Sequence, residues 1–237
     1  MTSTPPLSFS TLLHACLSRE RFVAYQRPAD QDALDAAARY LWNMALGEAL
    51  YPMLQALEVA LRNTLNDELA ALFGTDWYDQ QSVVVDTWGV QQIGAAKVTL
   101  TKFHKPHTPG RIVAELNFGF WTHLFNVRYE RRIWQRLWST SAIFHNLARR
   151  NRTRQFLSVR MERVRRLRNR VFHYEPIWHW HDLAQQHAEV LEALGWISPV
   201  MRTTAQLVDR FPVVHQQGPQ VFRPQLTALC QKEGFVP

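Results

Sequence analysis

The sequence predicts an all-α fold that ends in a partly irregular, proline-containing tail. Glycine is scarce, at 9 of 237 residues, and 46% of the residues are hydrophobic. A chain of this size buries a sizeable core, so we expect a helical domain over 8–177 and a C-terminal helical extension and tail over 178–237, packed on the same domain. Apolar residues recur with the helical period, most clearly as leucines at positions 54, 57, 61, 65, 69 and 72.

Caps and prolines divide the predicted helices. Ser8 and Ser10 are candidate caps before the first helix, and Pro28 ends it. Pro52 fits the first turn of a new helix and Gly74 fits its end, so the segments on either side of Pro52 are predicted to be separate helices. The predicted helices cover residues 9–25, 30–50, 53–73, 111–125, 127–147, 153–174, 180–195 and 199–210.

Residues 74–110 lack helical periodicity and are predicted to be irregular. The three valines at 83–85 fit either a short strand or a loop packed on the core. Residues 97–110 contain two prolines and several cationic or titratable groups, which is typical of a loop.

Positive charge is concentrated in one part of the chain. The net charge is +7, but residues 1–80 hold five Arg against ten acidic residues (net −5), and residues 128–170 hold fourteen Arg against two Glu (net +12). Guanidinium groups bind phosphate in a planar, bidentate geometry. The pattern therefore favours a polyanionic partner over the alternative of a solvated helix face.

Nothing in the sequence indicates secretion, disulfides or a cofactor. Cys16 and Cys230 lie in unrelated contexts, so reduced thiols and no metal site are expected. The first residues lack the features of a signal peptide, and no apolar run is long enough to span a bilayer. We therefore expect a cytoplasmic protein with no membrane partner. His179, His181 and Asp182 have metal-ligand residue types, but neutral surface histidines are the favoured interpretation.

The end of the arginine-rich helix carries a candidate catalytic pair, Arg168 and His173. Arg168 falls at the centre of an apolar stripe, where an unpaired charge is costly. It is predicted either to hold a phosphate or to form a structural ion pair with a core-facing carboxylate such as Glu58. His173 falls in the last turn before Pro176, where the helix dipole favours imidazolium, so it is either a proton donor or a C-terminal capping residue.

Several segments, in order along residues 19–177, resemble the Abi-like (abortive infection) family. Arg168, Asn169 and His173 are similar to the motif of HEPN domains, in which an arginine and a histidine are separated by four to six residues. The other matching segments run from Tyr40 to Pro52, Leu57 to Asn63, Gly74 to Tyr78, Phe118 to Trp121 and Arg170 to Pro176. Tyr174 follows the histidine directly, whereas HEPN toxins with nucleotidyltransferase antitoxins often carry the tyrosine one position later.

The resemblance implies a HEPN-like helical bundle with additional helices and a metal-independent RNA endonuclease activity without cofactors. Cleavage would leave 2′,3′-cyclic phosphate and 5′-OH ends. HEPN nucleases usually form homodimers in which two motifs face one cleft, so the apolar stripe around Arg168 would be a subunit interface. Abi-like members are associated with bacterial phage defence, through abortive infection or as toxins, which makes an antitoxin or a phage-derived trigger protein an expected partner.

The resemblance also implies roles for individual residues. His173 would act as general base or acid, Arg168 would stabilise charge on the phosphate, and Asn169 would orient His173 or donate to the phosphate. Flanking phosphates of RNA would be bound by Arg163, Arg165, Arg166 and Arg170. Glu58 and Arg62 form either a routine intrahelical pair or a support for the cleft. The alternatives are a non-catalytic RNA-binding or protein-interaction HEPN module and, less favoured without a helix-turn-helix pattern, a DNA-binding regulator.

Overall fold

The computed structural model of the protein describes residues 8–140 and 143–236. It confirms the all-α prediction: 74% is helical, and the described residues form no strand, only an isolated bridge between Ser8 and Val236. The expectation of no signal peptide rests largely on the first seven residues, which lie outside the described ranges. The α-helices are α1 (Phe9–Leu17), α2 (Arg19–Val23), α3 (Ala33–Phe73), α4 (Thr87–Lys102), α5 (Pro109–Glu115), α6 (Phe118–His123), α7 (Gln135–Thr140), α8 (Arg154–Phe172), α9 (Leu183–Ile197), α10 (Pro199–Gln206), α11 (Phe211–Gln217) and α12 (Arg223–Glu233).

Helix α3 continues through Pro52, so the prediction of two helices, 30–50 and 53–73, was wrong. A proline inside a helix removes one backbone hydrogen bond and costs about 3 kcal/mol. Burial of the surrounding side chains offsets that cost, since four of them are fully buried: Leu46, Leu50, Met53 and Leu57. The predicted leucine stripe is confirmed as core, and only Leu72, near the helix end, is partly exposed.

Helix α4 occupies residues that were predicted to be irregular. The Asp86 carboxylate caps it by accepting a hydrogen bond from the Gly89 N–H at 3.0 Å. Because the helix continues to Lys102, the loop predicted over 97–110 begins only at 103. Residues 83–85 form no strand, and the loop alternative is the correct one. One apolar face of α4 is buried, at Ile93, Ala96 and Leu100.

The helices predicted over 111–125 and 127–147 are broken into shorter elements. Asn117 separates α5 from α6, and its side chain accepts from the Phe120 N–H at 3.0 Å to cap α6. Before α7, residues Val127–Tyr129 form a 3₁₀ turn and Glu130–Trp134 a π-helical turn. The π turn places two adjacent side chains in the core, those of Ile133 and Trp134.

The tail over 211–237 is more regular than predicted. It contains α11, a 3₁₀ turn at Pro219–Phe222, and α12. Pro212 and Pro224 occupy the first turns of α11 and α12. A backbone N–H in the first turn has no acceptor within its own helix, so proline, which lacks this N–H, costs no intrahelical hydrogen bond there. Pro212 and Pro224 therefore begin helices instead of interrupting them.

The described residues divide into two compact units, each discontinuous in sequence. The first is drawn from Met1–Pro52, Asn169–His187 and Asp209–Pro237, and the second from Met53–Arg168 and Ala188–Val208. Helices α3, α8 and α9 contribute residues to both.

The core of the first unit is built from α1 to α3 and α12. Its buried members include Phe9, Phe22, Tyr25, Leu34 and Leu226. Polar contacts tie its segments together: Arg223 pairs with Asp32 at 2.8 Å and Asp35 at 2.5 Å, and the buried Asn43 accepts from the Ile177 N–H at 2.7 Å.

The core of the second unit is rich in large aromatic side chains. Trp77, Phe120 and Trp121 pack together with ring centroids 5.3–6.3 Å apart. Phe125 and Trp134 form a second aromatic contact at 4.6 Å. These rings are fully buried, so three of the nine tryptophans pack in this core, a common use of this residue type.

Candidate functional site

Arg168 lies on α8, beside the apolar face of that helix. The buried residues of this face are Leu157, Met161, Val164 and Leu167. They are at most 2% exposed within a single chain, so the expectation that this stripe is a subunit interface was wrong. The stripe is part of the chain's own core, and Arg168 extends from its margin.

Glu58 is the partner of Arg168. Its Oε2 lies 3.4 Å from Nε of Arg168, and each side chain is 23% exposed. The two residues belong to α3 and α8 and are far apart in sequence. Arg62, four residues after Glu58, donates from Nε to the Asn63 side chain at 3.2 Å. The Glu58 carboxylate therefore lies next to Arg168 of α8. This is the ion pair that the sequence analysis gave as the alternative to phosphate binding by Arg168.

His173 directly follows Phe172, the last residue of α8, and it is exposed. The Tyr174 N–H donates to the Val171 carbonyl at 3.1 Å, and the Glu175 N–H donates to the Arg170 carbonyl at 2.9 Å. These two bonds form a Schellman motif, in which Tyr174 has the left-handed φ of 57°. The helix therefore stops before Pro176, as the sequence predicts.

Asn169 contacts His173 through the backbone. The His173 N–H donates to the Asn169 carbonyl at 2.9 Å. No hydrogen bond joins their side chains in the part of the chain that the structure describes. Asn169 is half-buried, one turn before the exposed imidazole.

The arginines of α8 are largely neutralised by glutamates. Six of the seven each contact a different glutamate, and most of those glutamates are distant in sequence. The pairs are Arg154–Glu130, Arg160–Glu192, Arg163–Glu189, Arg165–Glu162, Arg168–Glu58 and Arg170–Glu175. Arg165 is held by two hydrogen bonds of 2.8 Å, and this contact raises its pKa.

Arg166 is the exception among the four arginines proposed for RNA contact. It is exposed, and no carboxylate within residues 8–140 and 143–236 forms an ion pair with it. The other three already hold a glutamate each. The seven arginines of α8, which face one glutamate (Glu162) within the helix itself, are therefore largely neutralised by glutamates from other parts of the chain.

A buried polar cluster around Asp86 escaped the sequence analysis. Its carboxylate accepts from the Gly89 N–H, from the Tyr129 hydroxyl at 2.5 Å and from Nε2 of His123 at 3.0 Å. Although burial opposes ionisation, these hydrogen bonds lower the pKa of Asp86 to about 2, and the same burial raises the pKa of Tyr129. The position of Asp86 three residues before Gly89 could have indicated a helix cap from the sequence. Its contact with His123, which is 37 residues away in the chain, could not have been predicted from local pattern.

The His179–Asp182 segment does not develop into a metal centre. Burial, followed by the nearby Arg27 and Arg170, lowers the pKa of His179. In the described ranges, no group of three or more His, Cys, Asp or Glu side chains is placed to hold a metal ion.

Within the same ranges, no helix is both long enough and apolar enough to cross a membrane.

No protein-family model, curated protein or solved structure matches the chain. The likeness to Abi-like and HEPN proteins therefore rests on the residues named above and on their order along the chain.

Proposed function

We propose that the protein is a metal-independent RNA endonuclease of the Abi-like/HEPN type. The observation that carries the proposal is the placement of Arg168 and Asn169 in the last turns of α8 and of His173 directly after it, with Nε of Arg168 3.4 Å from the Glu58 carboxylate and the imidazole exposed. An imidazole can both accept and donate a proton, and the exposure of His173 leaves it accessible to a substrate.

The proposed reaction is attack of a ribose 2′-oxygen on the adjacent phosphorus. The new 2′-O–P bond forms as the P–O5′ bond breaks, which leaves a 2′,3′-cyclic phosphate and a 5′-OH. His173 accepts the 2′-OH proton or supplies a proton to the departing 5′-oxygen, and in a homodimer two copies share these tasks. Arg168 stabilises charge on the non-bridging oxygens, and Asn169 donates to the phosphate.

Glu58 has a positioning role in this proposal. Because it contacts Arg168 at Nε, it limits the orientations of the guanidinium plane on the half-buried margin of α8. Arg166 is the α8 arginine best suited to bind a flanking phosphate. To bind one, each of the other three arginines must first release the glutamate that it contacts; these are Arg163, Arg165 and Arg170.

The biological setting that we propose is bacterial phage defence, through abortive infection or as a toxin. An antitoxin or a phage-derived trigger protein is the corresponding partner. Expression of the wild type and of His173→Ala in bacteria, with growth and phage plaques as readouts, tests this setting separately from the chemistry.

A second candidate function follows from the ion pairs of α8. If Arg168 serves only to neutralise Glu58, the protein is a non-catalytic RNA-binding or protein-interaction module of HEPN type. The observation that favours this candidate is that six α8 arginines each hold a glutamate.

Cleavage of end-labelled RNA in EDTA distinguishes the two candidates. Arg168→Ala and His173→Ala are expected to lower the rate by about 100-fold or more. Arg210→Ala and His181→Ala are matched controls, because Arg210 is 68% exposed in a surface ion pair and His181 is exposed. Thermal unfolding of each variant verifies folding. Equal cleavage by all variants would reject the proposed site, and RNA binding without cleavage would favour the non-catalytic module.

A further inference from the structure

Phe103 is a large apolar side chain on the surface of the second unit. It follows the last residue of α4, and 61% of its surface is exposed. The ammonium groups of Lys102 and Lys105 lie 5.9 and 5.8 Å from the centroid of its ring. We call Lys102, Phe103 and Lys105 the Phe103 platform.

Backbone hydrogen bonds hold the platform in place. The His104 N–H donates to the Thr101 carbonyl at 3.0 Å, and the Lys105 N–H donates to the carbonyl of the buried Leu100 at 2.9 Å. This Schellman motif gives His104 a left-handed φ of 52°. The aromatic ring and its two cations are therefore presented from the end of a packed helix, which lowers the ordering cost of binding.

The platform carries positive charge that the protein does not neutralise. Residues 98–114 contain Lys102, Lys105 and Arg111 but no Asp or Glu. The ion pairs found among the described residues include none of these three cations, and residues 101–111 are all exposed. This segment contrasts with α8, where nearly every arginine holds a glutamate.

We propose that the Phe103 platform binds single-stranded nucleic acid. One base stacks on the face of Phe103, and the ammonium groups of Lys102 and Lys105, which lie over the ring in the free protein, move to the adjacent phosphates. An exposed ring with cations beside it is the combination used for sequence-tolerant binding of single strands, because every base has a π-face and every nucleotide a phosphate. A duplex offers no unstacked base to the ring, so single strands are preferred.

A membrane surface fits these observations less well. Binding at a bilayer interface needs a broad apolar face on one side of a helix. The platform offers one ring, and its chain neighbours are Lys, His, Thr and Pro. The proposal of nucleic-acid binding by the platform depends only on the contacts of Lys102, Phe103 and Lys105, and it does not require the cleavage chemistry proposed above.

Fluorescence anisotropy with the full chain tests the platform. The probes are a labelled unstructured single-stranded DNA, which lacks the 2′-OH and is not cleaved, the RNA of the same sequence, and the corresponding DNA duplex. Phe103→Ala and Phe103→Leu are each expected to raise Kd about tenfold, whereas Phe103→Tyr keeps the stacking face and the affinity. The double change Lys102→Gln with Lys105→Gln should reduce the slope of log K against log salt by about 1.4, or about 0.7 for each phosphate.

Two exposed positions away from the platform serve as controls. Val90→Ala alters an apolar side chain that is 51% exposed near the start of the same helix, and Lys232→Gln removes a cation whose side chain is 80% exposed. Both should bind like the wild type. Unchanged binding by Phe103→Ala, full binding by Phe103→Leu, equal affinity for the duplex, or no binding to any of the three probes would overturn the proposal. So would Phe103-dependent binding to phosphatidylserine vesicles without an effect on the nucleic-acid probes.

The proposals for the Phe103 platform and for the nuclease site are contradicted by different experimental outcomes. Arg168→Ala and His173→Ala should still bind the DNA probe through Phe103. Phe103-dependent binding without cleavage would overturn the nuclease proposal alone. Cleavage that requires Arg168 and His173, but with binding indifferent to Phe103, would overturn the platform alone.

Discussion

Nε of Arg168 lies 3.4 Å from Oε2 of Glu58, and less than a quarter of either side chain is exposed. The pair joins the leucine-rich half of α3 to the last turns of α8. Since both charges are partly removed from water, each is costly to leave without the other. The same contact is consistent with a positioning role in catalysis and with a purely structural one, and these roles differ in measurable ways.

A double-mutant cycle on this pair separates stability from activity. Glu58→Gln and Arg168→Ala should each lower the free energy of unfolding by about 1–3 kcal/mol, and the double variant should lose less than their sum. If Glu58 positions a catalytic guanidinium, Glu58→Gln also lowers the cleavage rate of the folded protein. The measurements are urea unfolding and RNA cleavage.

The Glu48–Arg210 pair is the matched control for this cycle. Its side chains are 69% and 68% exposed, so Glu48→Gln and Arg210→Ala should each cost no more than about 0.5 kcal/mol. Additive effects at Glu58 and Arg168 would show that the 3.4 Å contact contributes no coupling.

Tyr174 adopts a backbone conformation that suits glycine better. Its φ is 57° at the end of α8, and its side chain is 77% exposed. Tyr174→Gly should therefore raise the free energy of unfolding by about 1 kcal/mol, because the left-handed conformation costs a side chain about that much. Gly234, with φ 71° after α12, offers the reverse test, and Gly234→Ala should be destabilising. A lower urea midpoint for Tyr174→Gly would contradict this account.

The cluster around Asp86 predicts a specific loss of stability in acid. Its pKa falls from 3.8 to about 2 in the folded protein. The stabilisation is therefore complete above pH 4 and is lost as the pH falls from about 4 to 2, on the order of 2 kcal/mol in all. Unfolding of the wild type and Asp86→Asn should be compared across this range. The variant should be less stable at pH 7, and the difference should shrink in acid.

Tyr129→Phe provides a graded version of the same test. It removes one donor to the Asp86 carboxylate but leaves His123 and Gly89 in place. The pKa of Asp86 should rise, so the acid-sensitive stability should be lost at a higher pH than in the wild type. Identical pH profiles for the wild type and Tyr129→Phe would show that this hydrogen bond does not favour the carboxylate.

His187 predicts a second pH dependence, at higher pH. Burial lowers its pKa from 6.5, with a smaller lowering from His215, and this outweighs the opposing pull of Asp209. The unfolded chain therefore binds the proton more readily, and stability falls as the pH drops below about 6.5. His187→Gln keeps a donor for Asp209 but does not titrate, so its stability should decline less between pH 7 and 5. His181→Gln, at an exposed position, should follow the wild type; parallel profiles for all three proteins would exclude His187 as the source.

Part of this architecture was predictable from local pattern. The leucine series of α3 and the apolar face of α8 are buried as their helical spacing predicts. The end of α8 before Pro176 was also predictable, because a residue that precedes proline avoids helical geometry. These features depend on residues within one or two turns of each other. The passage of α3 through Pro52 was not predictable in this way, since it depends on core packing around the proline. Helix α4 did carry a local signal, the cap at Asp86, which the sequence analysis missed.

The sequence by itself determined the all-α class, the principal apolar faces and the position of Arg168 and His173 at the end of an arginine-rich helix. The tertiary structure alone decided which charges that are distant in sequence neutralise each other. It brings Glu58 to Arg168 and Glu189 to Arg163, while Lys102 and Lys105 remain without a carboxylate among the residues that it describes. The reason is physical: helical periodicity and ion pairs within one or two turns are set by neighbours along the chain, whereas two charges distant in sequence come within about 4 Å only through packing.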